Sequence, residues 1–296
     1  MRPGTLPVLL VVAGTLAGCT SAGGPGLSEM SFSDEPLIGK FVWFDLITDD
    51  AAAVRDFYSG LFGWVFETTR GPLGNDYYLA RDGGVYVGGV VPAAGPADGS
   101  EISRWLPYVS VADVDGSVVR ARTDGAEVVV SPLDIRLGRV AVIVDPQGAP
   151  VGLARSRIGD PDDATTVGGP GRVVWIELIA DDIARASSFY EAVVGYQAHR
   201  IDRPGGQYTM LEADARDRAG ILPNPTDWKP QWIVFFGVDD PAEATERAEA
   251  LGGEVLLAPT PEVRGGSLAI VRDPSGAVLA LQEWPIPAEE IRRWGN

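Results

Sequence analysis

The sequence predicts an α+β fold built twice over. Three observations predict it. The stretch "VWFDLITDD" (Val42 to Asp50) returns as "VWIELIADD" (Val174 to Asp182), an offset of 132. Each copy alternates short runs rich in β-branched and aromatic residues with stretches whose apolar residues recur at helical spacing. Each copy also closes on an Asp-Pro-x-Gly turn, Asp145 to Gly148 and Asp273 to Gly276, in which Pro pre-sets φ and Gly relaxes the exit of a hairpin. Two copies make duplicated halves rather than a solenoid.

The elements follow in order. Val42 to Ile47 has the composition of a strand, and Asp49 or Asp50 then supplies a helix N-cap. Val54, Phe57, Tyr58 and Leu61 fall on one helical face, and Gly63 ends that helix; Ala186, Phe189, Tyr190, Val193 and Gly195 repeat the pattern. Two strand-like runs come next, around Tyr77 to Ala80 and Val85 to Val91, with counterparts at Tyr208 to Glu212 and Ala219 to Leu222. A further strand, Tyr108 to Val111 or Ile233 to Val238, leads into a second helix, Val114 to Thr123 or Ala242 to Leu251. "DGAEVVVSP" (Asp124 to Pro132) matches "LGGEVLLAP" (Leu251 to Pro259), and "GRVAVIV" and "GSLAIVR" form the inward strands of the closing hairpins.

A first strand, a helix with "FY" that ends in Gly-aromatic, and a last hairpin around "DPxG" resemble the vicinal oxygen chelate superfamily of glyoxalases, bleomycin-resistance proteins and extradiol dioxygenases. The tandem "W-x-[DE]-L" pattern is similar to its two-repeat glyoxalase-like members. The resemblance covers about residues 38 to 285. It implies tandem βαβββ modules, curved cup-like mixed sheets with helices outside, and a glyoxalase-like or hydroxylase-like activity. The same resemblance locates the family's metal ligands at Trp43 and Trp175 on the first strands and at Gly152 and Ala280 on the last. None of these can hold a cation, so the expectation is a cup without metal or cofactor. The lone histidine, His199, reads as a surface residue.

Before the repeat, "LPVLLVVAGTLA" has the length and composition of an export signal. "LAGC", Leu16 to Cys19, resembles a bacterial lipobox, which implies lipidation of Cys19, the only cysteine. The expected organisation is a signal peptide over 1–18, a flexible tether over 19–37, modules over 38–157 and 172–287, a linker over 158–171 and a tail over 288–296. The expected location is the outer face of the cell membrane, through a lipid anchor on Cys19. The chain has 296 residues, 45% of them hydrophobic, enough to supply a full core. Twenty-four basic against 41 acidic residues give a net charge of −17, which repels nucleic acid. The sequence sets no oligomeric state.

An acid inside an apolar strand needs a reason. Alternation puts Trp43, Asp45 and Ile47 on one face and Val42, Phe44 and Leu46 on the other. The apolar face belongs under the helices, so Trp43, Asp45, Trp175 and Glu177 look into the cup, joined by Gln282, where the family's ligand sits. The two carboxylates and the two indoles are expected to approach one another across a pseudo-twofold axis, which raises one carboxyl pKa. Two readings compete. In one, they contact a small organic ligand or act as acid and base. In the other, they hydrogen-bond the protein itself, for instance to Arg139. Tyr78, Trp105, Tyr208 and Trp232 either line the cup or stiffen the core. An interaction protein with a degenerate cup is the third possibility.

Overall fold

Residues 30–71, 74–95, 102–163, 168–203, 206–225 and 228–286 are described by a computed structural model. Cys19 and the segment expected to be a signal peptide lie outside them. Each half contributes two βαβββ units. In the first half these are β1 (Phe41–Thr48), α1 (Ala51–Phe62), β2 (Val65–Arg70), β3 (Asp76–Asp82) and β4 (Val85–Pro92), then β5 (Arg104–Ser110), α2 (Val114–Thr123), β6 (Glu127–Ile135), β7 (Gly138–Val144) and β8 (Pro150–Ser156). The second half repeats them as β9 (Val173–Ala180), α3 (Ile183–Val194), β10 (Gln197–Arg203), β11 (Gly206–Ala213) and β12 (Arg216–Pro223), then β13 (Gln231–Val238), α4 (Pro241–Ala250), β14 (Glu254–Leu257), β15 (Leu268–Arg272) and β16 (Val278–Glu283).

Each half closes into one eight-stranded mixed sheet, in the order β2-β3-β4-β1-β5-β8-β7-β6 and its equivalent. The two units of a half join where β1 meets β5 antiparallel, and β9 meets β13 in the same way. The caps act as the sequence predicts. Asp50 and Asp182 accept the backbone N–H of Ala53 and Arg185, and Gly63 and Gly195 end their helices at φ of 74° and 96°. The strands β2 and β10 were not foreseen, because they are polar edge strands without a buried alternating face.

One face of each sheet packs under its helices: Phe44 and Leu46 are in that core as the alternation predicts, but a register shift between Phe41 and Trp43 puts Phe41 there in place of Val42, which borders a cavity with Trp43. Helix α1 packs on α4 of the other half and α2 on α3, so one core runs through both repeats. The "FY" and "DPxG" motifs lock the halves reciprocally. Tyr58 Oη donates to Asp273 Oδ2 at 3.1 Å, and Tyr190 Oη donates to Asp145 Oδ2 at 3.0 Å. Each tyrosine in turn accepts from a buried indole, Trp105 for Tyr58 and Trp232 for Tyr190. Burial raises the carboxyl pKa of both Asp145 and Asp273, offset in part by the backbone N–H donors of their own turns.

The described part of the tether is not loose, nor is the start of the linker. Phe32 bridges Pro161, and Ser33 N–H donates to the Asp160 carbonyl at 2.9 Å. Asp160, 1% exposed, accepts from Leu37 N–H at 2.7 Å and Ser110 Oγ at 2.6 Å. A buried carboxylate with two donors ties residues 30–37 and 158–163 to the first sheet, which composition alone did not reveal.

Candidate functional site

The two concave faces are built from the same strand positions but finished differently. In the first, Trp43 and Asp45 alternate inward from β1. Asp45, 0% exposed, accepts through Oδ1 from Trp43 Nε1 at 2.8 Å and from Tyr77 Oη at 2.7 Å. Its cross-strand neighbour on β4 is Gly89. A Cβ there would lie 1.8 Å from Tyr77 Oη, so glycine is what lets the phenol reach the carboxylate. Oδ2 is buried without a hydrogen bond of good geometry, although the Tyr108 hydroxyl favours the charged form. Burial pushes the Asp45 carboxyl from 3.8 up to about 6, against the pull of Tyr77, Trp43 and Tyr108.

Above this floor lies a cavity of about 120 Å³. Its walls are mostly apolar, among them Trp43, Leu79, Tyr86, Tyr108, Val140 and Ala154. Met30, Phe32 and residues 158–161 also border it, so the pinned tether and linker form part of its wall. Trp43 and Tyr108 border the cavity, whereas Asp45 sits behind them.

In the second half, Glu177 Oε1 accepts from Tyr208 Oη at 2.8 Å and Trp175 Nε1 at 3.2 Å, with Gly220 opposite making room for Tyr208. Here a cation completes the site. Arg264 Nη2 donates to Glu177 at 2.5 Å, its Nη1 donates to Gln282 Oε1 at 3.1 Å, and its guanidinium lies 5.1 Å from the Phe235 ring centroid. Gln282 is 1% exposed and spends its amide on Ser267. Arg264 holds a left-handed φ of 49°, followed by Gly265 at 64° and Gly266 at 93°. For a non-glycine residue that conformation costs about 1 to 2 kcal/mol, which the ion pair offsets. Arg136 stands at the aligned position, nine residues before Asp145 as Arg264 stands before Asp273. It is exposed in the two-residue turn between β6 and β7 instead.

The inward direction of Trp43, Asp45, Trp175, Glu177 and Gln282 is as expected, and Trp43 and Trp175 both line a cleft of about 220 Å³ between the halves, but Asp45 and Glu177 do not share a pocket. Asp45 and Glu177 belong to different sheets, each with its own partners, and Glu177 is not among the groups that shift the Asp45 carboxyl. Two eight-stranded sheets, rather than one shared between the repeats, separate them. Glu177 and Gln282 are engaged by the protein's own Arg264, while Trp175 donates to Glu177 and Tyr208. Arg139 pairs with Asp115 and Asp134, not with either cup acid. Of the four aromatics left undecided, Tyr208 is in the cup. Trp105 and Trp232 are in the core between the halves, and Tyr78 lies on the helix side under Arg55. Tyr77, Gly89 and Arg264 were missed. A Tyr twelve residues before a Gly, Tyr77 with Gly89 and Tyr208 with Gly220, recurs in both copies and would have pointed to the first two.

The donor set does not suit a metal. Trp43 is paired across the sheet with Tyr108, and Tyr108 with Gly152; Trp175, Phe235 and Ala280 form the same row. A Cβ on Gly152 would meet the Tyr108 ring at 2.1 Å, leaving no room for a ligating side chain. No group of three or more His, Cys, Asp or Glu residues among the described residues could hold a metal ion. His199 is exposed on β10, 3.6 Å from Glu212.

Known proteins place this arrangement. Residues 172–281 match the Glyoxalase/Bleomycin resistance protein/Dioxygenase superfamily. The chain is 35% identical over 253 residues to "Putative glyoxylase CFP32" of Mycobacterium tuberculosis, covering 83% of this chain and 95% of that one. It is 33% identical over 259 residues to "Anthracycline biosynthesis protein DauV" of Streptomyces sp. strain C5, covering 83% and 93%. The fold is similar to that of the Mn(II)-bound glyoxalase from Novosphingobium aromaticivorans, with a TM-score of 0.56 at 18% identity over 83% of this chain and 82% of that one. Duplicated sheets, reciprocal locks and full-length relatives agree: the chain belongs to the glyoxalase, bleomycin resistance protein and dioxygenase superfamily.

Proposed function

We propose that the protein binds a small, planar, largely apolar organic molecule in the first cup, without a metal, and that the second cup is closed by its own Arg264. The observation that carries this reading is the asymmetry itself. Equivalent strands give one cavity walled by Trp43, Tyr86 and Tyr108, and one site filled by a guanidinium. Apolar walls with few polar groups suit burial of a ring system. Asp45 acts as a positioning residue, orienting, together with the Tyr77 phenol behind it, the Trp43 indole that faces the ligand. In the same reading Cys19 carries lipid and holds the protein at the outer membrane face.

The test is native mass spectrometry of the purified full chain, for co-purifying compounds, followed by 1-naphthol titration of wild type and Ala154→Phe. Filling the cup wall at Ala154 is expected to weaken 1-naphthol at least tenfold. Equal binding by both proteins would remove the first cup as the site.

A catalytic reading is favoured by one observation. A carboxyl with a pKa of about 6 can exchange a proton near neutrality, and it lies directly behind Trp43 and Tyr108, which border the cavity. Turnover of the bound compound would then inflect near pH 6 and lose that inflection in Asp45→Asn.

A further inference from the structure

The halves enclose a further cleft, of about 260 Å³, away from either cup. It is built from paired segments of the repeat. The starts of β5 and β13 supply Arg104, Trp105, Gln231 and Trp232, and the two Asp-Pro-x-Gly turns supply Gly148 and Gly276. The cleft therefore straddles the pseudo-twofold relation between the halves. Arg104, Lys229 and Arg272 line it, and none of the described lining residues is acidic. That is unusual in a chain with a net charge of −17, where 41 acidic residues outnumber 24 basic ones.

The chemistry of these cations points the same way. Arg104 Nε donates to the Ile102 carbonyl at 3.0 Å, and burial alone lowers its guanidinium pKa. Arg272 pairs with Glu254 through Nη1, but its Nε is buried without an acceptor. Lys229 is exposed at the rim. Trp105 and Trp232 are 4% and 2% exposed and form an aromatic floor, and half-buried Trp228 stands beside them. Guanidinium groups bind carboxylate and phosphate through charge-assisted hydrogen bonds, and indoles give planar rings a face to pack on.

From this convergence of three cations on a tryptophan-floored cleft, we infer that the protein has an anion-binding site between its halves for a compact carboxylate or phosphate carried on a planar ring. The volume falls just under the ~300 Å³ at which drug-sized pockets begin, so the ligand is compact. The site is independent of the first cup and of the reading given for it.

Benzoate and phenyl phosphate are the probes, with benzamide as the uncharged control, titrated into the full chain by calorimetry and tryptophan fluorescence. Saturable binding of either anion is expected, at least tenfold tighter than benzamide. Lys229→Gln and Arg272→Gln are expected to weaken it at least fivefold each. Lys229 is exposed, so its loss reports on the anion rather than on folding. Ala154→Phe, which fills the first cup, is expected to leave anion binding unchanged. Absence of saturation by both anions, equal affinity for benzamide, or full affinity in the Lys229→Gln, Arg272→Gln double variant would each overturn the inference, as would loss of binding in Ala154→Phe.

Discussion

Asp45→Asn isolates the buried acid of the first cup. The amide keeps an oxygen for the Trp43 and Tyr77 donors and removes only the charge. Raising the carboxyl from 3.8 to about 6 in the folded protein means that ionised Asp45 costs about 3 kcal/mol of stability, at about 1.36 kcal/mol per pH unit. The sign follows from linkage. The folded pKa lies above the unfolded one, so stability is fully present below about pH 3.8 and is lost as pH rises through about 6. Between pH 5 and pH 8 the unfolded carboxylate is already ionised and only the folded one titrates. Over that window the wild type is expected to lose about 1 to 2 kcal/mol relative to Asp45→Asn. Chemical denaturation of both proteins at pH 5, 6, 7 and 8 measures the difference directly. Other groups cancel between the two chains. A difference that stays flat within about 0.5 kcal/mol would show that Asp45 is not held in a desolvated floor, and the reasoning fails.

The second cup should respond differently. Glu177→Gln leaves the Arg264 guanidinium buried without its counter-charge, and is expected to cost about 3 kcal/mol in denaturant melts. Gly89→Ala puts a methyl 1.8 Å from Tyr77 Oη. It is expected to cost about 1 to 3 kcal/mol and to displace Tyr77 from Asp45, read as a change in the Tyr77 ring signals by NMR. Tyr58→Phe removes a donor from Asp273 and an acceptor from Trp105, and is expected to cost about 1 to 2 kcal/mol in thermal or chemical melts. Cys19→Ser is expected to release the protein from membranes, checked by fractionation of cells grown with labelled fatty acid.

The repeat, the caps and the inward strand faces were legible because they are local. Asp50, Gly63 and the alternation of Trp43 with Phe44 each depend on near neighbours in the chain. The partners of the acids were not legible, because they come from distant strands. Nothing near Asp45 in sequence predicts Tyr77, and nothing near Glu177 predicts Arg264. The difference between the cups is harder still. Arg136 and Arg264 occupy aligned positions, and only the glycines at 265 and 266 mark the loop that folds inward. The "FY" pair reads in sequence as part of a helical face and "DPxG" as a hairpin turn, while their hydroxyl and carboxylate clasp the opposite halves.

Methyl-labelled NMR of the full chain during 1-naphthol titration tests the asymmetry of the two cups most directly. The expected result is saturable shifts at Leu79, Val140 and Val142 of the first cup, with Ile233 and Leu268 of the second unmoved. Shifts centred on Ile233 and Leu268, with Leu79 and Val140 unchanged, would contradict it, because the ligand would then occupy the cup that Arg264 closes.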